Sequence, residues 1–175
     1  MALRVDSRIV FPYKNFRFQV KWNNAGGNPI TVAGVSKVSG LKWTTEVVSH
    51  REGNDPSTAR HSPGRTSFEA ITLERGVTFN TDFEEWASLV YAPGAIGGVS
   101  LANFKKNLTI ELLNTQGNIV VVRRYQVFNA WVSSYTAQAD LDANANAALI
   151  ESMVLQNEGW QRDDQGLDPQ AGSES

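Results

Sequence analysis

The chain has 175 residues, 41% of them apolar and 19% charged, which suits one globular domain able to bury a real core. Its formal net charge of -2 provides no field to draw it to nucleic acid or to an anionic membrane, so specific nucleic-acid binding is not expected. With no cysteine there are no disulfides and no thiolate metal sites.

Strand patterning dominates. Phe16, Phe18 and Val20 alternate with Arg17, Gln19 and Lys21, the period of a strand with one buried face. The Asn/Gly-rich stretch 23–29 reads as a turn, and Ile30 to Val38 as the second strand of a hairpin. Lys42 to Val48 is a third strand. The polar stretch from Ser49 to Thr66 holds Gly53, Pro56, Pro63 and Gly64 and reads as a long loop. It exceeds the ~12–15 structureless residues common in compact domains, so it is expected to be mobile or committed to a partner. Phe68 to Thr78 returns to strand.

One helix is expected from Asp82 to Tyr91. Thr81 and Glu84 fit a capping box, and Phe83, Trp86, Ala87 and Val90 fall on one stripe before Pro93-Gly94. A Gly-rich connector, 95–101, follows. Asn107 to Leu113 and Ile119 to Phe128 are strands around a turn at 114–118, and Ala130 to Thr136 continues strand-like. Asp140 to Ala148 reads as a turn or short helix, and Leu149 to Asn157 as the last strand. The division expected is a β-domain over 1–160 and an acidic, disordered tail over 161–175, which has little apolar surface to offset ordering entropy. The fold class is mainly β, a two-sheet barrel or sandwich with one packed α-helix.

Candidate chemistry is sparse. Histidine occurs only at His50 and His61, beside Ser49 and Ser62, with no G-x-S-x-G elbow to present a nucleophile. Their spacing matches no zinc motif, and Asp140, Asp142 and Asn144 lack the Gly and bidentate Glu of a calcium loop. Glu84 and Glu85 are helix neighbours that diverge by about 100 degrees and suit a helix N-terminus rather than acid–base work. Gly94, Gly97 and Gly98 form no phosphate cradle, and Lys105-Lys106 and Arg123-Arg124 are too short for a nucleic-acid stripe. No catalytic residue, metal ligand or cofactor site is assigned. What lacks a simple monomer explanation is the charged loop, with Arg51, Glu52, Asp55, Arg60 and Arg65, and the open sheet edges of a small β-domain.

Several segments taken together resemble the tail-tube protein family of contractile phages and phage-derived extracellular injection systems. They are Phe16-Arg17-Phe18-Gln19-Val20, Val38-Ser39-Gly40-Leu41, His50-Arg51-Glu52-Gly53, Ile71-Thr72-Leu73-Glu74-Arg75-Gly76, Phe83-Glu84-Glu85-Trp86, Asn129-Ala130-Trp131 and Ile150 to Leu155 with Glu158-Gly159. Their order and spacing span residues 16–160. The resemblance implies a two-sheet β-barrel whose copies form hexameric rings, stacked into a hollow tube inside a contractile sheath. It implies that Arg51, Glu52, Gly53, Asn54, Asp55, Arg60 and Arg65 sit on an inter-ring or inter-subunit loop. Strands of the second half would then contribute to a sheet lining the lumen.

The partners so implied are other copies of the chain, the sheath, baseplate and tube-cap proteins, and a lumen cargo or DNA. A ring-only secreted carrier of effectors, like type VI tube proteins, is the alternative. No apolar run reaches the ~20 residues of a spanning helix, so no membrane anchor is expected. Met1 to Lys14 lacks the apolar stretch of a secretory signal. The expected route is therefore synthesis in the cytoplasm, then assembly into a phage-tail-like particle that leaves as a whole.

Overall fold

In β1 (Phe18–Asn23) the alternation works as expected, with Val20 and Trp22 turned inward and fully buried. The same period builds β6 (Ile71–Gly76), where Ile71, Leu73 and Arg75 are buried, and β9 (Ile150–Gln156), where Glu151, Met153 and Leu155 are. The computed structural model describes residues 17–23, 29–32, 34–50, 60–91, 103–114, 120–138 and 149–167. The remaining elements are β2 (Pro29–Val32), β3 (Val35–Val38), β4 (Trp43–His50), β5 (Arg60–Phe68), α1 (Asp82–Ser88), β7 (Lys106–Asn114), β8 (Val120–Thr136) and β10 (Trp160–Arg162).

All pairings are antiparallel, and one path runs β2-β1-β7-β8-β9-β6-β3, with β10 added on β8. β8 belongs to both layers. Its first part pairs with β7 and β10, and from Trp131 onward it pairs with β9. Among the described residues the end strands β2 and β3 do not pair with each other. The result is a sandwich rather than the closed barrel that was the other expectation.

Three of the chain's passages between layers are marked by a left-handed backbone. Gly34 (φ 77°) separates β2 from β3, which pair with β1 and β6 respectively. The single strand expected over Ile30 to Val38 is therefore two. Asn129 (φ 49°) is the pivot inside β8, joining the two strands expected on either side of it. Gly159 (φ 136°) turns β9 into β10. Asn tolerates this region better than most side chains, and glycine adopts it without a Cβ clash. The last two corners lie side by side: Phe128 donates its N–H to Gly159 (2.8 Å) and Glu158 donates back to Phe128 (3.0 Å).

The core centres on aromatic packing between α1 and the first layer. Trp22 meets Trp86 edge-on at 4.8 Å and Phe83 at 5.8 Å, and Trp86 donates its indole N–H to the Phe104 carbonyl at 2.8 Å. Truncating a buried aromatic of this size to Ala costs about 3–5 kcal/mol. The capping box is not formed. Thr81 instead donates its hydroxyl to Glu85 (2.6 Å), while the Asn80 side-chain carbonyl accepts the Asp82 N–H (3.0 Å). The α-helix ends at Ser88, short of Tyr91, in a turn.

Two further expectations change. β4 runs to His50 and β5 starts at Arg60, so Ser49–His50 and Arg60–Thr66 of the stretch read as a loop are strand, and a residue pair separates β5 from β6 where one strand was expected. At the other end, residues 161–164, expected in the tail, hold onto β8. Asp163 donates its N–H to Arg124 (2.9 Å), and its carboxylate accepts from the Gln126 side chain. Residues 168–175, the 95–101 connector and 140–148 lie outside the described residues.

Candidate functional site

Among the described residues β4 and β5 form ladder pairs only with each other, making a two-stranded arm with its root at Trp43↔Phe68 and its far end at His50↔Arg60. Neither strand has a buried residue. The register shifts between Thr45↔Thr66 and Val47↔Pro63, where Glu46 faces both Gly64 and Arg65. This bulge explains why Pro-Gly sits within a strand. Pro63 supplies no donor, which is tolerable in a strand with one open side. At Gly64 a Cβ would come within 2.9 Å of Val48 Cγ2 and 3.1 Å of the Glu46 carbonyl oxygen. A lone hairpin is only marginally stable in water, and Trp43 and Val47 expose 53% and 65% of their surface on this one. The arm therefore presents apolar surface that its own protomer leaves uncovered.

At the root an open depression of about 350 Å³ is lined by Trp43, Thr45, Thr66, Phe68 and Trp160. Its floor is tight, since a Cβ on Gly159 would stand 3.3 Å from the Phe68 ring. Trp160 packs edge-on against Tyr125 at 6.0 Å, and its buried indole N–H has no hydrogen-bond partner. Beside it the Lys42 ammonium donates to Glu69 at 2.7 Å and holds that carboxyl below the usual carboxylate range.

A second exposed apolar patch lies where β6 ends and β9 begins. Val77 donates its N–H to the Leu149 carbonyl (2.9 Å), and Val77, Phe79, Leu149 and Ile150 are all exposed, Phe79 completely. Among the described residues β2 pairs only with β1, β3 only with β6 and β10 only with β8, so each has an edge left open.

Of the residues expected on an assembly loop, Arg51, Glu52, Gly53, Asn54 and Asp55 lie outside the described residues. Arg60 and Arg65 are both on β5, at the far end of the arm and at the bulge, and both are exposed. His50 and His61 are also on the arm, exposed and away from the depression. Among the described residues no three His, Asp or Glu side chains gather as a metal site, and no helix is long and apolar enough to cross a membrane. Sequence reasoning missed the apolar features, Trp43, Val47 and Phe79. The available signal was large apolar residues flanked by polar ones in segments offering no second apolar face.

The model of a family described as T4-like virus tail tube protein gp19 matches residues 14–161. No curated protein is matched by sequence. The fold is similar to a chain in the anti-feeding prophage (AFP) baseplate, with 24% identity and a TM-score of 0.72 over 87% of this chain and 96% of that one. It is similar to a chain of the PVC extracellular contractile injection system sheath-tube complex, with 23% identity and a TM-score of 0.67 over 89% and 93%. Hcp1 from Flavobacterium johnsoniae shares 16% identity and gives a TM-score of 0.51 over 82% and 94%.

Proposed function

Because this chain belongs to the T4-like virus tail tube protein family, a family of structural tube proteins, we propose that it builds the inner tube of a contractile injection system or phage tail. Six copies close a ring, rings stack, and the lumen passes cargo or DNA. The sheath surrounds the tube, and baseplate and cap proteins bind its ends. The work is mechanical, and the protein is made in the cytoplasm and leaves as part of the particle.

The observation that carries this reading is the β4–β5 arm, a two-stranded sheet with no buried residue and with exposed Trp43 and Val47. An element that a monomer cannot stabilise well is expected to find its cover on another subunit. Open edges on β2, β3 and β10 supply the means for sheets to continue between copies. We assign the inter-ring or inter-subunit contacts to Arg51, Glu52, Gly53, Asn54 and Asp55 and, on the arm, to Arg60 and Arg65. The fold likeness to Hcp1 favours a second reading, a single ring that carries effectors.

Electron microscopy and sedimentation of the purified chain over a concentration series test this. Tubes that lengthen with concentration support the first reading, a species that stops at one ring supports the second, and a monomer throughout sinks both. Replacing residues 47–63 by an Asn-Gly turn is expected to leave the sandwich folded and abolish stacking. Full-length tubes from that variant would remove the arm from the mechanism.

A further inference from the structure

A contact between identical copies that repeats without a two-fold axis needs two different, matching surfaces on the same chain. This protomer carries such a pair. Phe79 is a knob: its side chain is fully exposed, and among the described residues no hydrogen bond engages its backbone. The depression at the root of the arm is a hole, lined by Trp43, Phe68, Trp160 and two threonines, with about 350 Å³ of open volume. Phe79 is not among the residues that line it, so the protomer does not fill its own hole.

Charge runs the same way as shape. The segment following Phe79 carries Asp82, Glu84 and Glu85 in the first turn of α1 and no basic residue in its last turn. Next to the hole stands Arg65, one position from Thr66. Arg65 and Glu84 are exposed, and neither makes a hydrogen bond or ion pair within the described residues.

We propose that Phe79 of one protomer seats in the Trp43–Phe68–Trp160 depression of the next copy, with Glu84 of the first meeting Arg65 of the second. The contact is heterologous, so its repetition propagates an assembly rather than closing a dimer. It rests on the tube reading for its setting, but names its own pair of surfaces.

The absence of native cysteine makes the test direct. Chains carrying Phe79→Cys alone are mixed with chains carrying Thr66→Cys alone and treated with a short thiol-reactive cross-linker under assembling conditions. A heterodimeric product in excess of both homodimers is expected. A control mixing Phe79→Cys with Thr136→Cys, an exposed site on the other layer, should stay near background. If particles form but the Thr66 mixture cross-links no better than the control, the contact is wrong and the tube reading stands. If the chain never assembles, both fall.

Phe79→Ala removes only a side chain that touches nothing in its protomer, so the fold should be unchanged. The concentration needed for assembly is expected to rise about tenfold or more, from the burial of one aromatic side chain per contact. Arg65→Glu and Glu84→Arg should each weaken assembly, and their combination should restore it. A double variant no better than either single one would overturn the ion pair.

Discussion

Arg75 and Glu151 stand opposite one another on β6 and β9, and the guanidinium donates from Nε to the carboxylate inside the core. Both terminal nitrogens are also engaged. Arg75 gives Nη1 to the Asn80 side chain (2.9 Å) and Nη2 to the Asn80 carbonyl (2.6 Å), and its guanidinium lies 4.1 Å from the Phe83 ring centroid. Tyr135 on β8 donates its hydroxyl to the other Glu151 oxygen at 3.0 Å. One ion pair thus ties β6, β9, β8 and the entry to α1.

Arg75→Met is therefore expected to cost about 3–5 kcal/mol, because it leaves a buried carboxylate without its partner. The double variant Arg75→Met with Glu151→Leu should recover much of this, since no charge is then stranded. Urea unfolding of the two single variants and the double variant measures it. Equal losses in the Arg75→Met and double variants would show that the pair itself, not the stranded charge, carries the stability.

Tyr135 gives a pH signature. Burial and the neighbouring Glu151 push its hydroxyl up to about 12, from an unfolded value near 10. Because the folded pKa is raised, this contribution is fully present below the unfolded pKa of about 10 and is lost as pH rises through the folded pKa. Phenolate absorbance should show one late step, and Tyr135→Phe should delete it. Titration of all tyrosines together near pH 10 in the folded protein would contradict the assignment.

Glu111 acts at the other end of the pH scale. Burial pushes its carboxyl up, but hydrogen bonds from Lys21 (2.8 Å), Gln19 and Arg124 (2.9 Å) outweigh this and hold it below the usual range. With the folded pKa depressed, its contribution is present above the unfolded pKa and disappears as pH falls through the folded one. Glu111→Gln should lower the urea midpoint at pH 7 and converge with the parent in acid. Parallel curves from pH 7 down to pH 2 would show that the carboxylate charge does not matter.

Gly64 separates arm from body. Gly64→Val should distort the bulge, since even its Cβ meets the Val48 side chain and the Glu46 backbone. Among the described residues the arm's strands pair only with each other, so thermal unfolding of the sandwich is expected to shift little while assembly is lost. A large fall in the melting temperature would mean that arm and sandwich fold as one unit.

How much of this was legible follows from burial. β1, β6 and β9 bury one face each, and selection for a dry face writes a period of two into the sequence. α1 announced itself through Phe83 and Trp86 for the same reason. β5 buries nothing in the protomer, so Arg60 to Phe68 carries no alternation, and Pro63-Gly64 reads as a loop although it sits at a bulge. The pairing of Arg75 with Glu151 was not legible, because it spans 76 positions and nothing local signals it. Asn80 replaced the expected capping box because its side-chain carbonyl, held by Arg75 five positions earlier, accepts the Asp82 N–H. Phe79 was legible as a letter but not as a knob, since exposure depends on what the fold fails to place above it.

β8 runs unbroken from Val120 to Thr136 through both layers, turning at Asn129. Its backbone is thus a covalent load path. A pull along this strand reaches β7 and β9 through ladders loaded in shear, many hydrogen bonds at once, rather than peeled one after another. The two layers cannot slide apart without bending or breaking a strand they share. A protomer built this way stiffens a tube that must transmit thrust end to end, and it concentrates compliance in the arm, which pairs with neither layer.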